Sequence, residues 1–482
     1  MNYSSIGFGC YRIESSIQEH YDAIFRALTS GINVIDTSAN YSDGGSEKLV
    51  GKTIDDLVAE GKIKRDEIIL VTKGGYIQGQ NYKFALKLKE EGKPFSEVVE
   101  YADRMWHCIS PVFLEDQIGR QLLRLNQSYI DVYLLHNPEY YLGWAKQNKI
   151  ELDEAREIYY DRIRRAFEFL EKKVKEGKIL SYGISSNTFV KYSNDYEFTS
   201  LEKVLDIANS IRRSGSKNNH FKVIQFPFNL FEAGAITIKN QINNTETILE
   251  LASRTNLKVL TNRPLNAITS KGLVRLADFK WEAFNEKDFI KQMKLVSLME
   301  EDLLNEKLEN ENLDEIDLNY LKKLLTFGKL VDENWKYFGS IEHFNDVVSQ
   351  LLAPRIDSLM NIFNEKINNN NVKDFFKSYI KESYKLLNFV SNYYKLRAEK
   401  RGKFVHRLID KNLDEKYHRL TLSQKAILLL SSVEGVTTVL VGARKEFYVE
   451  DIVKILNESK IENAKEIIKV VSKEIEFWES NA

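Results

Sequence analysis

The chain reads as an α/β protein: a (β/α)8 TIM barrel with a large helical insertion after its seventh strand. Three observations predict this. Eight short apolar runs recur along the chain, and most are followed by an amphipathic stretch of helical period. The length, 482 residues, exceeds the roughly 250 typical of one such barrel. Finally, about 150 residues, mostly of helical period, separate the seventh run from the next barrel helix, far more than an ordinary connection.

The predicted strands are Ile6 to Gly9, Asn33 to Thr37, Ile68 to Lys73, Asp131 to His136, Ser181 to Ser185, Val223 to Phe228, Lys258 to Arg263 and Thr437 to Gly442. Between them, Ile17 to Ser30, Leu114 to Leu125, Tyr159 to Lys175, Leu201 to Ile211 and Thr247 to Arg254 carry apolar residues at helical spacing. Ser110-Pro111 has the form of an N-cap with proline at N1, and Thr421 to Gln424 has capping-box spacing. Gly31, Gly61 and Gly177 fall where helices should stop.

The barrel is assigned to residues 1–268 and 420–482, and the insertion to 269–419. Within the insertion, Phe344, Val348, Leu351, Leu352, Leu359 and Phe363 share a face, as do Phe376, Ile380, Leu387, Val390 and Tyr394. An insertion after a barrel strand emerges on the C-terminal rim, where barrel active sites lie, so it is expected over the mouth. A smaller addition, Tyr76 to Cys108, leaves the third strand on the same rim. The acidic stretch Glu300 to Asp317 reads as a solvated helix face or loop. Arg162, Arg164, Arg165, Lys172, Lys173 and Lys175, interleaved with Glu168 and Glu171, read as surface ion pairs.

Composition excludes several classes. Lys and Arg number 69 against 70 Asp and Glu, so no whole-protein field gathers nucleic acid or anionic membrane. Cys10 and Cys108 are the only cysteines and form no Cys-x-x-Cys, which predicts neither a disulfide scaffold nor a metal site and fits a reducing cytoplasm. The first residues show no basic-then-apolar leader, and no apolar run approaches the roughly 18 residues of a membrane span.

Four polar side chains fall at the ends of strands two, three and four: Asp36, Tyr41, Lys73 and His136. Reducing a carbonyl requires a proton donor where negative charge develops, and a tyrosine made more acidic than usual can serve. A lysine ammonium nearby favours phenolate, and an aspartate beside it keeps the lysine charged. A histidine on the next strand can orient the substrate oxygen. Alone, Asp36 is as readily a helix cap and His136 a core residue; four suitable groups on three consecutive strands argue for chemistry. His107 is the rival histidine, outside a barrel strand end.

Asp36-Thr-Ser-Ala-Asn-Tyr41 resembles the Asp-Thr-Ala-x-x-Tyr element of the aldo-keto reductase family. Val71-Thr-Lys73 and Tyr133-Leu-Leu-His136 are similar to its lysine and histidine strands. Gly183-Ile-Ser-Ser-Asn187 resembles its nicotinamide carboxamide segment, with Ser185 and either Ser186 or Asn187 as contacts, and Gln225 matches its glutamine. Leu440-Val-Gly-Ala-Arg444 is similar to its phosphate-binding turn, implying contacts from Gly442, Arg444 and Lys445. The resemblance implies NADP, with NAD possible, and a small carbonyl or sugar substrate. It also implies Tyr41 as general acid/base tuned by Lys73 and Asp36, with His136 orienting the carbonyl and Tyr11 beside the substrate. Where the family has a stacking aromatic, this chain has Asn262-Arg-Pro-Leu265, so Arg263 is either a pyrophosphate contact or a surface residue. The alternative is a regulatory or interaction protein that keeps a cofactor-binding barrel.

Overall fold

The computed structural model describes residues 2–211, 219–269, 272–309, 311 and 313–481. Runs rich in Val, Ile and Leu form eight parallel strands: β1 Ile6–Gly9, β2 Val34–Asp36, β3 Ile69–Gly74, β4 Ile130–His136, β5 Ile179–Ser185, β6 Phe221–Pro227, β7 Lys258–Asn262 and β8 Thr438–Val441. Each pairs with its chain neighbours, and β8 returns to β1, closing the predicted barrel. β3 and β4 are buried along their whole length, because one face meets the interior and the other the surrounding helices. Val34, Val71, Leu134, Val223, Leu260 and Leu440 belong to the barrel's packed interior. Space is so tight there that a Cβ on Gly183 would lie 1.7 Å from the Val223 carbonyl oxygen.

Register brings the chemistry together. Asp36 lies opposite Val71, Lys73 opposite Leu134, His136 opposite Ser185, and Ser185 opposite Gln225. With neighbouring strands about 4.8 Å apart, side chains at these ends share one rim. After β3 the chain builds a helix, Gly79–Glu90, and a three-stranded antiparallel sheet whose middle strand is Met105–His107. Helix Pro111–Leu125 starts at the predicted proline, but the Ser110 hydroxyl accepts from the Cys108 thiol rather than capping it.

Internal contacts divide the chain into two units. One comprises Met1–Leu265, Asn412–Leu420 and Gln424–Ala482; the other comprises Asn266–Lys411 and Thr421–Ser423. The second begins with an antiparallel hairpin, Asn266–Thr269 with Gly272–Arg275, and continues as helices, the longest being Asn370–Asp410. Phe289 and Trp335 pack with ring centroids 4.6 Å apart in its core, and Phe363 stacks on Phe376.

Three surface expectations are corrected. Leu351 is exposed, because the helical register shifts just ahead of Pro354. Glu300 is buried, since its carboxylate accepts the Phe327 and Gly328 amides and the Tyr379 hydroxyl; residues 310 and 312 of that acidic stretch lie outside the described residues. Arg162 and Lys173 are also buried: Arg162 donates to the Glu97 carbonyl, and Lys173 pairs with Glu115 and Glu176. No helix among the described residues is long and apolar enough to cross a membrane.

Candidate active site

β2 ends at Asp36, and the chain turns through Ser38 into a short helical turn, Tyr41–Gly44, that holds Tyr41 beside β3. Lys73 Nζ, fully buried, lies 2.6 Å from Asp36 Oδ2, 2.9 Å from the Thr37 carbonyl and 3.4 Å from the Tyr41 hydroxyl. Gln225 Nε2 donates to the other Asp36 oxygen at 2.8 Å, and Ser185 Oγ donates to Gln225 Oε1 at 3.0 Å. Asp36 is therefore gripped from both sides, which fixes the lysine it holds. The His136 ring stands edge-on to Tyr41 with centroids 6.0 Å apart. Tyr11, two-thirds exposed, is edge-on to Tyr41 at 5.3 Å.

Electrostatics follow from burial. Burial alone would lower the Lys73 pKa, but Asp36 and Tyr41 outweigh it and hold the ammonium charged. The Tyr41 phenol is pushed up to about 12, chiefly by burial; Lys73 pulls it down and Asp36 raises it again. The sequence-based expectation of an acidified tyrosine is thus overturned, because desolvation exceeds the lysine's pull. His136 lies well below the usual imidazole range through burial, then the charge of Lys73, and is neutral.

The rival His107 is buried and donates from Nε2 to the His136 carbonyl at 2.7 Å, which makes it a prop for His136. Gly75 permits that contact, since a Cβ there would lie 2.6 Å from both atoms. Sequence reasoning missed three further residues here. Ser38 Oγ lies 3.0 Å from His136 Nδ1. Glu139, just beyond β4, accepts the Asn187 amide at 2.8 Å, and burial pushes its carboxyl up to about 7. Asn262 ends β7 and donates weakly to Gln225 at 3.4 Å. Ser38 fills the alanine place of the family motif, the one signal that could have flagged it.

The remaining residues expected at a cofactor lie at the ends of β5 to β8. Ser186 turns its hydroxyl toward Thr188 and Thr199, whereas Asn187 is exposed. Arg263, in a left-handed turn with φ 56°, pairs with Glu232 at 2.9 Å. Gly442 and Arg444 are exposed, and Lys445 is 3.4 Å from Glu19. Three buried polar atoms here lack a protein partner among the described residues: Glu139 Oε2, Asn262 Oδ1 and Arg263 Nε. Asn262 Oδ1 and Arg263 Nε, an acceptor and a donor on adjacent residues at the end of β7, suit a ligand with an amide and an anionic group, as a nicotinamide dinucleotide has. No group of His, Cys, Asp and Glu able to hold a metal occurs among the described residues.

The family model for the aldo/keto reductase family matches residues 5–271. An NAD(P)H-dependent D-xylose reductase from Candida tropicalis is 25% identical over 190 residues, covering 38% of this chain and 48% of that protein. An NADH-specific methylglyoxal reductase from Escherichia coli is 30% identical over 116 residues, covering 24% of this chain and 30% of that protein. The chain thus spans about half the length, or less, of these relatives. A solved glycerol dehydrogenase from Gluconobacter oxydans shares 16% identity with a TM-score of 0.48, covering 97% of this chain and 91% of that one.

Proposed function

Because the chain belongs to the aldo/keto reductase family, we propose that it transfers hydride between NADP(H), or NAD(H), and a small aldehyde, ketone or sugar lactol. Tyr41 acts as general acid/base. The observation that carries this is the chain of contacts from Asp36 through Lys73 to the Tyr41 hydroxyl, 2.6 Å and then 3.4 Å, at a barrel rim. When bound, the nicotinamide supplies or accepts the hydride.

The protein's own part is binding and proton handling. A phenol with a pKa of about 12 is fully protonated at neutral pH, yet is a stronger acid than an alcohol, so Tyr41 can protonate an oxygen that is becoming alkoxide. Lys73 stabilises the phenolate left behind, and Asp36 keeps Lys73 charged. Asn187, Asn262 and Gln225 would hold the carboxamide. Gly442, with Arg444 and Lys445, would hold the phosphates at the N-terminus of helix Glu446–Val453. Ser185 acts through Gln225, and Ser186 by shaping the loop.

The test is fluorescence titration with NADPH and NADH, followed by a screen of aldehydes and sugars against the parent and Tyr41→Phe. Both proteins should bind cofactor, and the variant should turn over at least about 100-fold more slowly. Equal turnover would remove Tyr41 from its role. Cofactor binding without turnover in either protein would favour a regulatory or interaction protein.

A further inference from the structure

The turn that carries Tyr41 is strained. Ser42 (φ 47°) and Asp43 (φ 53°) both lie in the left-handed region, and Gly44 follows at φ 85°. An L side chain reaches that region at a cost, and residues other than glycine visit it singly as a rule, not in succession. Such backbone persists only where its surroundings hold it.

Two contacts hold this one. Gly44 backs onto Arg124, where a Cβ would lie 2.8 Å from Cδ, and Arg124 is itself fixed by the buried Glu47 at 2.7 Å. Both Asp43 carboxylate oxygens accept the Gln80 amide, at 2.9 and 3.2 Å. Gln80 is the second residue of helix Gly79–Glu90, whose first turn has no acidic residue and whose N-cap, Gln78, makes no side-chain cap. Asp43 therefore caps, from a distant part of the chain, a helix of the Tyr76 to Cys108 addition. Gly79 makes room for it, since a Cβ there would run into the carboxylate.

A cap ordinarily serves its helix. Here the capping residue is itself one of the strained pair, and Tyr41, its hydroxyl 3.4 Å from Lys73 Nζ, stands two positions ahead. Released from Gln80, residues 42 and 43 can relax toward right-handed backbone, which swings the turn and takes Tyr41 with it. We propose that Asp43 is a positioning residue: anchored on the amide end of helix Gly79–Glu90, it holds the turn in its strained form and so keeps the Tyr41 hydroxyl on Lys73. The addition thereby serves proton transfer without touching the substrate. This rests on the reductase reading above.

Three substitutions separate the turn from the helix. Alanine removes the carboxylate and keeps the strain, glycine removes both, and asparagine keeps an acceptor and tolerates left-handed backbone. With NADPH or NADH and glyceraldehyde, kcat should fall about tenfold or more in Asp43→Ala, less in Asp43→Gly and least in Asp43→Asn. The dissociation constant of the same cofactor, from fluorescence titration, should stay within about twofold, because the loss falls on the chemical step. Tyrosinate, read by difference absorbance against the same protein carrying Tyr41→Phe, should appear at lower pH in Asp43→Ala than in the parent, because a displaced phenol meets water. Equal kcat in the parent and Asp43→Ala would overturn the proposal. So would equal losses in Asp43→Ala and Asp43→Gly with Tyr41 titrating as in the parent, which would leave Asp43 a cap for its helix alone. Should Asp43→Ala fail to fold, a decline in kcat from parent through Asp43→Asn to Asp43→Gly supports the proposal, and Asp43→Gly equal to the parent overturns it. If none of these proteins turned over an aldehyde or sugar, the reductase reading would fall, while the tyrosinate titration would still decide whether Asp43 places Tyr41.

Discussion

Lys73 Nζ and Asp36 Oδ2 lie 2.6 Å apart where the lysine is wholly shielded from water. A buried pair of this kind costs about 3–5 kcal/mol to break by removing one partner, because the other charge is stranded. Asp36→Asn and Lys73→Met should therefore each destabilise the protein by that order. The double variant should lose much less than the sum, because neither charge remains. Urea unfolding of the four proteins at pH 7 measures the coupling, and additive losses would show that the two side chains are energetically independent.

Tyr41 carries the opposite lesson about the same lysine. Lys73 pulls the phenol toward ionisation, but burial pushes it up to about 12. Stability tied to the protonated phenol is complete below the ordinary tyrosine value near 10 and is lost as pH climbs through about 12. Difference absorbance between the parent and Tyr41→Phe should accordingly show no tyrosinate signal from pH 8 to 10.5. A tyrosinate appearing near pH 9 in the parent alone would mean that the ammonium dominates.

The barrel and the meeting of Asp36, Lys73 and His136 were legible because both follow from local pattern and chain order. Short apolar runs specify strands, sequential parallel pairing makes β2, β3 and β4 neighbours, and residues at strand ends share a rim. The net pKa of Tyr41 was not legible, because desolvation depends on everything packed around a group rather than on its nearest charge. Ser38, Glu139 and Asn262 were missed for a related reason. Each acts through a contact with a residue distant in sequence: His136 for Ser38, Asn187 for Glu139 and Gln225 for Asn262. Glu300 looked like one charge among many in an acidic stretch, and only the fold shows the helix terminus it serves.

Glu300 takes the Phe327 and Gly328 amides at the start of helix Phe327–Asn334, together with the Tyr379 hydroxyl. A side chain from another helix thus does the work of an N-cap, where amide donors and the helix dipole both favour a carboxylate. Glu300→Ala should cost about 3 kcal/mol, and Tyr379→Phe, which removes one donor, about 1 kcal/mol. Denaturation followed by the fluorescence of Trp335, in the same core, reports the loss. A change below about 0.5 kcal/mol for Glu300→Ala, the range of ordinary surface substitutions, would show that the cap contributes nothing.

Glu139 makes stability depend on pH near neutrality. Its carboxyl is buried and pushed up to about 7, chiefly by desolvation, although its own amide, that of Asn187 and the Ser186 hydroxyl pull it down. Because the folded-state value is raised, the protonated form favours the fold. That contribution is complete below the ordinary glutamate value near 4.3 and disappears as pH rises through about 7, a loss on the order of 3 kcal/mol. Glu139→Gln keeps an oxygen for the Asn187 amide and cannot ionise. The parent's Tm should therefore fall by a few degrees more than the variant's between pH 5 and pH 8, the two curves separating up to about pH 7 and running parallel above it. Thermal melts of both proteins across that range decide it: parallel curves would place the Glu139 carboxyl outside the titrating groups, and a steeper fall in the variant would reverse the sign of its contribution.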